Sequence, residues 1–325
     1  MMRPSAAARA TARRSGLSDI VMASLLRRSR FVVVATAFLA AAGTAASAAD
    51  VPNLAYGPDR QQTLDLHLPD QSGRPAPVVV FFHGGAFVGG DKRPCAPRLA
   101  ALLTERGIAF ACANYRLAPR VHYPAPMRDG ARAVQWLRAH AADYGLDPRR
   151  VAVMGMSAGA GIALWIAFRP DLADAASPDP ILRESTGVAA VVTGNAQATY
   201  DPAEIEARLH TRRIPKFLAQ FFGAASVEGL GDPRYRQAEQ DASPIVNMHA
   251  GEPPLLAYYA TAAAPLAPDS PPQSYIHHPE QGRVLETVAH ERGADVVLRN
   301  VTDYPQGWQG FLGAATDFLA VSLER

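Results

Sequence analysis

The chain has 325 residues, 48% hydrophobic and 19% charged, a globular composition with ample core for one large α/β domain. A net charge of +2 gives no basic surface of the kind that nucleic acid requires. With 2 cysteines, neither a disulfide framework nor a cysteine-rich metal site can be built.

Residues 1–48 read as a secretory signal peptide. Arg27, Arg28 and Arg30 precede a short apolar run, Phe31 to Ala42, and Ala46-Ser47-Ala48 offers a small-x-small cleavage site. That apolar run is short of the roughly 20 residues that span a bilayer. Met22 is an alternative start that leaves a signal of ordinary length. Removing residues 1–48, which hold seven arginines and one aspartate, takes the net charge from +2 to −4. A secreted or periplasmic location follows as an expectation, with no stable membrane span after cleavage. In that oxidising setting Cys95 and Cys112 could pair, although Cys112 lies in an apolar run and reads first as a small buried thiol.

The alternation of Leu64, Leu66 and Leu68 with polar residues predicts a half-buried edge strand. The continuous apolar run 77–82 predicts a central strand covered on both faces. It ends in His83-Gly84-Gly85-Ala86-Phe87, where the Gly-Gly step lets backbone N–H groups converge on one point, as an oxyanion hole requires. Residues 108–113 form the next buried strand. Asp129 is placed to cap a helix carrying Ala133, Val134, Leu137 and Ala141 on one face, with Gly145 to end it.

The run 151–154 then passes through Gly155-Met156-Ser157-Ala158-Gly159 into alanine-rich residues suited to a helix. A serine on such a strand-to-helix turn stands proud of a sheet, so Ser157 is the candidate nucleophile. Strands are predicted again at 187–192, 253–259 and 294–301, and an amphipathic helix at 311–323. Residues 196–245, polar and partly helical, read as a cap-like insertion within a single domain spanning 49–325. Alternating strands and helices give a mostly parallel central sheet covered by helices on both faces. No dinucleotide fingerprint or phosphate loop occurs, and neither cofactor nor metal is expected.

Five of these motifs together resemble the α/β-hydrolases of the hormone-sensitive-lipase and carboxylesterase (BD-FAE-like) type: Leu64-Asp-Leu-His-Leu-Pro69, His83 to Phe87 with Gly90-Asp-Lys92, Tyr115-Arg-Leu-Ala-Pro119, Tyr123-Pro-Ala125 with Asp129, and Gly155 to Gly159. The resemblance is close over 54–168 and loose beyond. It implies the α/β-hydrolase fold, with Ser157 attacking an ester carbonyl while N–H groups of Gly85, Ala86 and Ala158 hold the oxyanion and Gly84 shapes the loop. It makes His83 structural and Arg116 with Asp129 a buried ion pair.

The chain departs from that family at two positions. Ala264 stands where an acid is expected and Gln306 where the general-base histidine is expected. An amide cannot take the serine's proton near neutral pH. A relocated base is therefore expected from His277 or His278, with Asp201 or Asp269, or else Glu280 or Asp303, as the acid. Two functions follow from these residues: a serine hydrolase of small carboxylic esters with a relocated or degenerate base, or a hydrolase scaffold that binds an ester- or carboxylate-like ligand without cleaving it.

Overall fold

The computed structural model describes residues 49–70, 73–93, 95 and 97–324. The expected signal peptide and its cleavage site lie outside them. Eight strands form one sheet: β1 (Ala49–Ala55), β2 (Thr63–Leu68), β3 (Ala76–Phe82), β4 (Ala109–Ala113), β5 (Leu146–Met156), β6 (Val191–Gly194), β7 (Leu255–Tyr259) and β8 (Val296–Asn300). Their order is β1-β2-β4-β3-β5-β6-β7-β8. Both pairings of β2 are antiparallel and all pairings among β3 to β8 are parallel.

Helices α1 (Pro97–Thr104), α2 (Ala125–Ala139) and α3 (Ala158–Ala167) connect the first strands. Between β6 and β7 lie α4 (Pro202–Leu209), α5 (Lys216–Phe222), α6 (Pro233–Ala242) and α7 (Pro244–Asn247). After β7 come α8 (Pro272–Tyr275) and α9 (Pro279–Arg292), and α10 (Trp308–Leu323) closes the domain. Among the described residues no helix is long and apolar enough to cross a membrane.

Val78, Val80 and Phe82 of β3 pack into the core containing α2 and α3, whereas Val79 and Phe81 pack with Leu99 and Leu103 of α1 and Phe311 and Leu319 of α10. A strand buried on both faces has no polar alternation, and hence β3 reads as an unbroken apolar run. Strand β2 keeps the alternation, with Leu64 and Leu66 fully buried. It is not the edge, however, because β1 pairs outside it through a register irregularity between Val51 and Leu54. Pro52 and Asn53 hide that outer strand from a periodicity reading.

Other expectations also need correction. Asp129 lies inside α2, which begins one turn earlier because Pro126 at its start already has helical φ. Gly145 follows a separate 3₁₀ turn, Ala142–Tyr144. Strand β6 begins at Val191: Ala189 and Ala190 still bond Val151 and Val153, but outside the regular ladder. Cys112 is fully buried and is disulfide-bonded to Cys95, with their Cα atoms 6.2 Å apart.

The parallel order reverses between β3 and β5. Chain leaving β3 goes to β4 on one side, and chain leaving β5 goes to β6 on the other. Ligands of open α/β sheets bind beyond the carboxyl ends of strands at such a point. The Gly-Gly loop follows β3 and Ser157 follows β5, so this point is where both motifs meet.

Candidate active site

Ser157 occupies the single residue between β5 and α3, with φ 51° and ψ −116°. This conformation is costly for any residue with a side chain, on the order of 1–3 kcal/mol. The surrounding structure holds it: the Ser157 N–H donates to the Gly194 carbonyl at 2.9 Å, and the Gly161 N–H donates to the Ser157 carbonyl. Close packing of α3 on the sheet needs a missing side chain, since a Cβ on Gly159 would sit 2.1 Å from the Phe82 carbonyl oxygen.

The loop after β3 lies against this turn. An added Cβ on Gly84 would be 3.1 Å from the Met156 carbonyl oxygen and 3.4 Å from the Ser157 Cβ. Three successive residues, Gly85, Ala86 and Phe87, have positive φ of 131°, 55° and 61°. Gly85 admits no Cβ, which would meet the Gly89 carbonyl oxygen at 2.0 Å. Phe87 anchors the strained loop: its ring is fully buried, stacks on Phe221 of α5 at 4.0 Å, and its carbonyl accepts from the Ala118 N–H. Among the described residues, the N–H groups of Gly85, Ala86 and Ala158 donate to no carbonyl. His83 faces away from this chemistry. Its ring stacks on Tyr115 at 4.4 Å, its Nδ1 lies 2.7 Å from the Gly84 carbonyl oxygen, and burial lowers its pKa.

Of the two adjacent histidines, His277 reaches the serine. Its Nε2 is 2.8 Å from the Ser157 Oγ. His278 does not. It is the N-cap of α9, its Nδ1 accepting from the Glu280 N–H at 3.0 Å. The Pro279 that follows was a signal for this division of labour, since proline at the first helical position marks the residue before it as the cap. Burial of the His277 ring lowers its pKa, with no charged neighbour opposing that shift.

Among the described residues none of the expected acids bonds His277. Asp201 caps α4, its carboxylate accepting from the Ala203 N–H at 2.8 Å. Asp179 before Pro180 and Asp232 before Pro233 do the same, so the Asp-Pro pair is a repeated capping device of this chain. Asp269 is exposed at a turn with φ 55°. Asp303 closes a capping box with Asn300, and Glu280 pairs with Arg283. Gln306 is exposed before α10. Among the described residues no carboxylate bonds the Nδ1 of His277, leaving a serine–histidine pair rather than a triad.

Asp129 accepts from the Arg116 N–H at 2.9 Å, from the Arg116 guanidinium at 2.6 Å and from the Gln62 amide at 2.8 Å. The carboxylate is 1% exposed and the arginine 29%, so the pair is buried at one end only. It ties the segment after β4 to α2 and to the turn before β2.

The model of the BD-FAE family matches residues 64–264. The chain belongs to the BD-FAE family. The matched span contains the Gly-Gly loop and Ser157 but ends before His277. Esterase LipQ of Mycobacterium tuberculosis is 31% identical over 278 residues, covering 84% of this chain and 59% of LipQ. A probable isoprenylcysteine alpha-carbonyl methylesterase of Arabidopsis thaliana is 40% identical over 111 residues, 34% of this chain and 23% of the relative. The chain thus spans less than two thirds of these curated relatives. Among solved structures, a truncated carbohydrate esterase from gut microbiota superposes with a TM-score of 0.66 at 19% identity, covering 85% of this chain and 97% of its own. The propionate-bound Thermogutta terrifontis esterase gives 0.59 at 20% identity, covering 82% and 92%. At those identities the structures share the α/β-hydrolase fold with this family member.

Proposed function

We propose that this protein is a serine hydrolase of small carboxylic esters, with Ser157 as nucleophile and His277 as a relocated general base. The observation that carries this reading is the 2.8 Å separation of the Ser157 Oγ and His277 Nε2, which is hydrogen-bond reach. The Oγ attacks the ester carbonyl carbon as its proton passes to Nε2. The carbonyl oxygen becomes an oxyanion received by the N–H groups of Gly85, Ala86 and Ala158, which among the described residues have no other acceptor to give up. The C–O bond to the alcohol then breaks, and the proton on Nε2 leaves with the alcohol. Water, deprotonated by the same nitrogen, releases the acid and restores Ser157.

A desolvated imidazole suits the base role because it is neutral at neutral pH. Among the described residues no carboxylate on Nδ1 stabilises the imidazolium as a triad acid does, so turnover below that of a full triad is part of the proposal. The names of the relatives, an esterase and a methylesterase, support the ester class. The helical segment from α4 to α7 serves as the cap, through Phe221 on Phe87. Export of the chain is part of the same proposal, supported by the Cys95–Cys112 disulfide, which persists in oxidising compartments.

The test is hydrolysis of 4-nitrophenyl acetate by the purified protein and by Ser157→Ala. Turnover lost with Ser157 is expected. Equal rates in both proteins would overturn this reading and favour the alternative, a hydrolase scaffold that binds an ester- or carboxylate-like ligand without cleaving it.

A further inference from the structure

The base sits on a turn between α8 and α9, far in sequence from the nucleophile, and among the described residues no acid orients its ring. Something else must hold the imidazole where Ser157 can use it. The side chain of Gln197, 4% exposed, lies between the two. Its Nε2 donates to the carbonyl of Asn195 at 3.0 Å and to the carbonyl of Ile276 at 3.0 Å. Both protons of the amide are therefore committed.

One carbonyl follows the residue that anchors Ser157 and the other precedes His277. Gly194, whose carbonyl receives the Ser157 N–H, directly precedes Asn195. Ile276 directly precedes His277. Asn195 is itself fixed, its N–H on the Tyr258 carbonyl and its Oδ1 receiving the Ala260 N–H at 2.9 Å. One buried side chain thus joins the strand end that holds the nucleophile to the turn that carries the base. The other supports are weaker or more remote. Thr261 Oγ1 donates to the His277 carbonyl at 3.3 Å, and Gln281 accepts from the Ala198 N–H while its Nε2 lies 3.4 Å from the Tyr275 carbonyl oxygen.

We infer that Gln197 is a positioning residue for the reaction, setting the His277 ring against Ser157 through the backbone in place of the missing acid. The inference rests on the serine–histidine reading above. It predicts an effect on the chemical step and not on substrate binding, because the Gln197 amide donates to the carbonyl after Gly194 and to the carbonyl before His277 while its Oε1 accepts a long bond from the buried Tyr200 hydroxyl at 3.5 Å, and displacement by about 1 Å can cost up to 10²-fold in rate.

The experiment compares full-length wild type, Gln197→Met, Gln197→Asn and His277→Ala on 4-nitrophenyl acetate, with urea midpoints recorded for each. Methionine keeps the length and loses both donors. Asparagine keeps the amide but is one methylene too short to span both carbonyls, and it serves if methionine prevents folding. The expected result is a kcat reduced about 10-fold or more in Gln197→Met and less in Gln197→Asn, with KM within about twofold. Inactive His277→Ala beside wild-type kcat in folded Gln197 variants overturns the inference and leaves the function standing. A rise in KM that matches the fall in kcat overturns it as well, by making Gln197 a packing residue. Full activity in His277→Ala overturns the functional reading itself.

Discussion

The Nε2 of His277 lies 2.8 Å from the Oγ of Ser157 across 120 residues of sequence, and the histidine arrives from the segment after β7. The resemblance placed an acid after that strand and the histidine after β8. Here the β7 segment brings the histidine proposed as base and the β8 segment brings the exposed Gln306. Geometry and role define such a pair, so the exchange of strands is no obstacle to chemistry.

The activity should fall on the acid side with a midpoint below the ordinary imidazole value of about 6.5. Desolvation lowers the pKa of His277, and among the described residues no carboxylate raises it. A base works when deprotonated, so kcat/KM rises with pH through that depressed pKa and is level above it. A profile of kcat/KM on 4-nitrophenyl acetate measures this. A midpoint above the ordinary value would mean that an anionic partner holds the ring after all.

Asp129→Ala should destabilise the fold by about 3 kcal/mol. The change leaves the Arg116 guanidinium and the Gln62 amide without their shared acceptor, and the loss of one partner of a buried pair costs about 3–5 kcal/mol. The lower end applies because Arg116 is partly solvated. Urea unfolding reads the loss, and the pH midpoint of the surviving activity should not move.

Reduction of the Cys95–Cys112 disulfide should cost about 3 kcal/mol of stability, from the chain entropy of a loop of this size. The cysteines are 17 residues apart, and the enclosed segment includes α1 and most of β4. Unfolding in urea with and without a reductant measures it. Equal midpoints would show that packing of α1 and β4 alone holds that segment.

Much of the site was legible because its constraints are local. Ser157 and Gly159 announce a strand-to-helix turn, and Gly84-Gly85 announces a loop of free N–H groups, since each needs a backbone only glycine or a strained residue can adopt. The histidine beside Ser157 was legible only as a pair. His277 and His278 differ in nothing but register to Pro279, and the proline decides that His278 caps α9 and His277 is released toward the serine. The same signal at Pro202 marks Asp201 as a cap and removes it as an acid. Strand β1 and the Gln197 bridge were not legible. One carries Pro52 and Asn53 in place of a periodic pattern, and the other joins carbonyls whose neighbourhood exists only after β6 and the α8–α9 turn have come together.

The most direct measurement is the turnover of 4-nitrophenyl acetate by His277→Ala beside His278→Ala, each checked for wild-type folding. The account predicts a loss on the order of 10⁴-fold for His277→Ala and near wild-type turnover for His278→Ala, whose lost cap lowers stability by about 1 kcal/mol. Undiminished turnover in His277→Ala would contradict it.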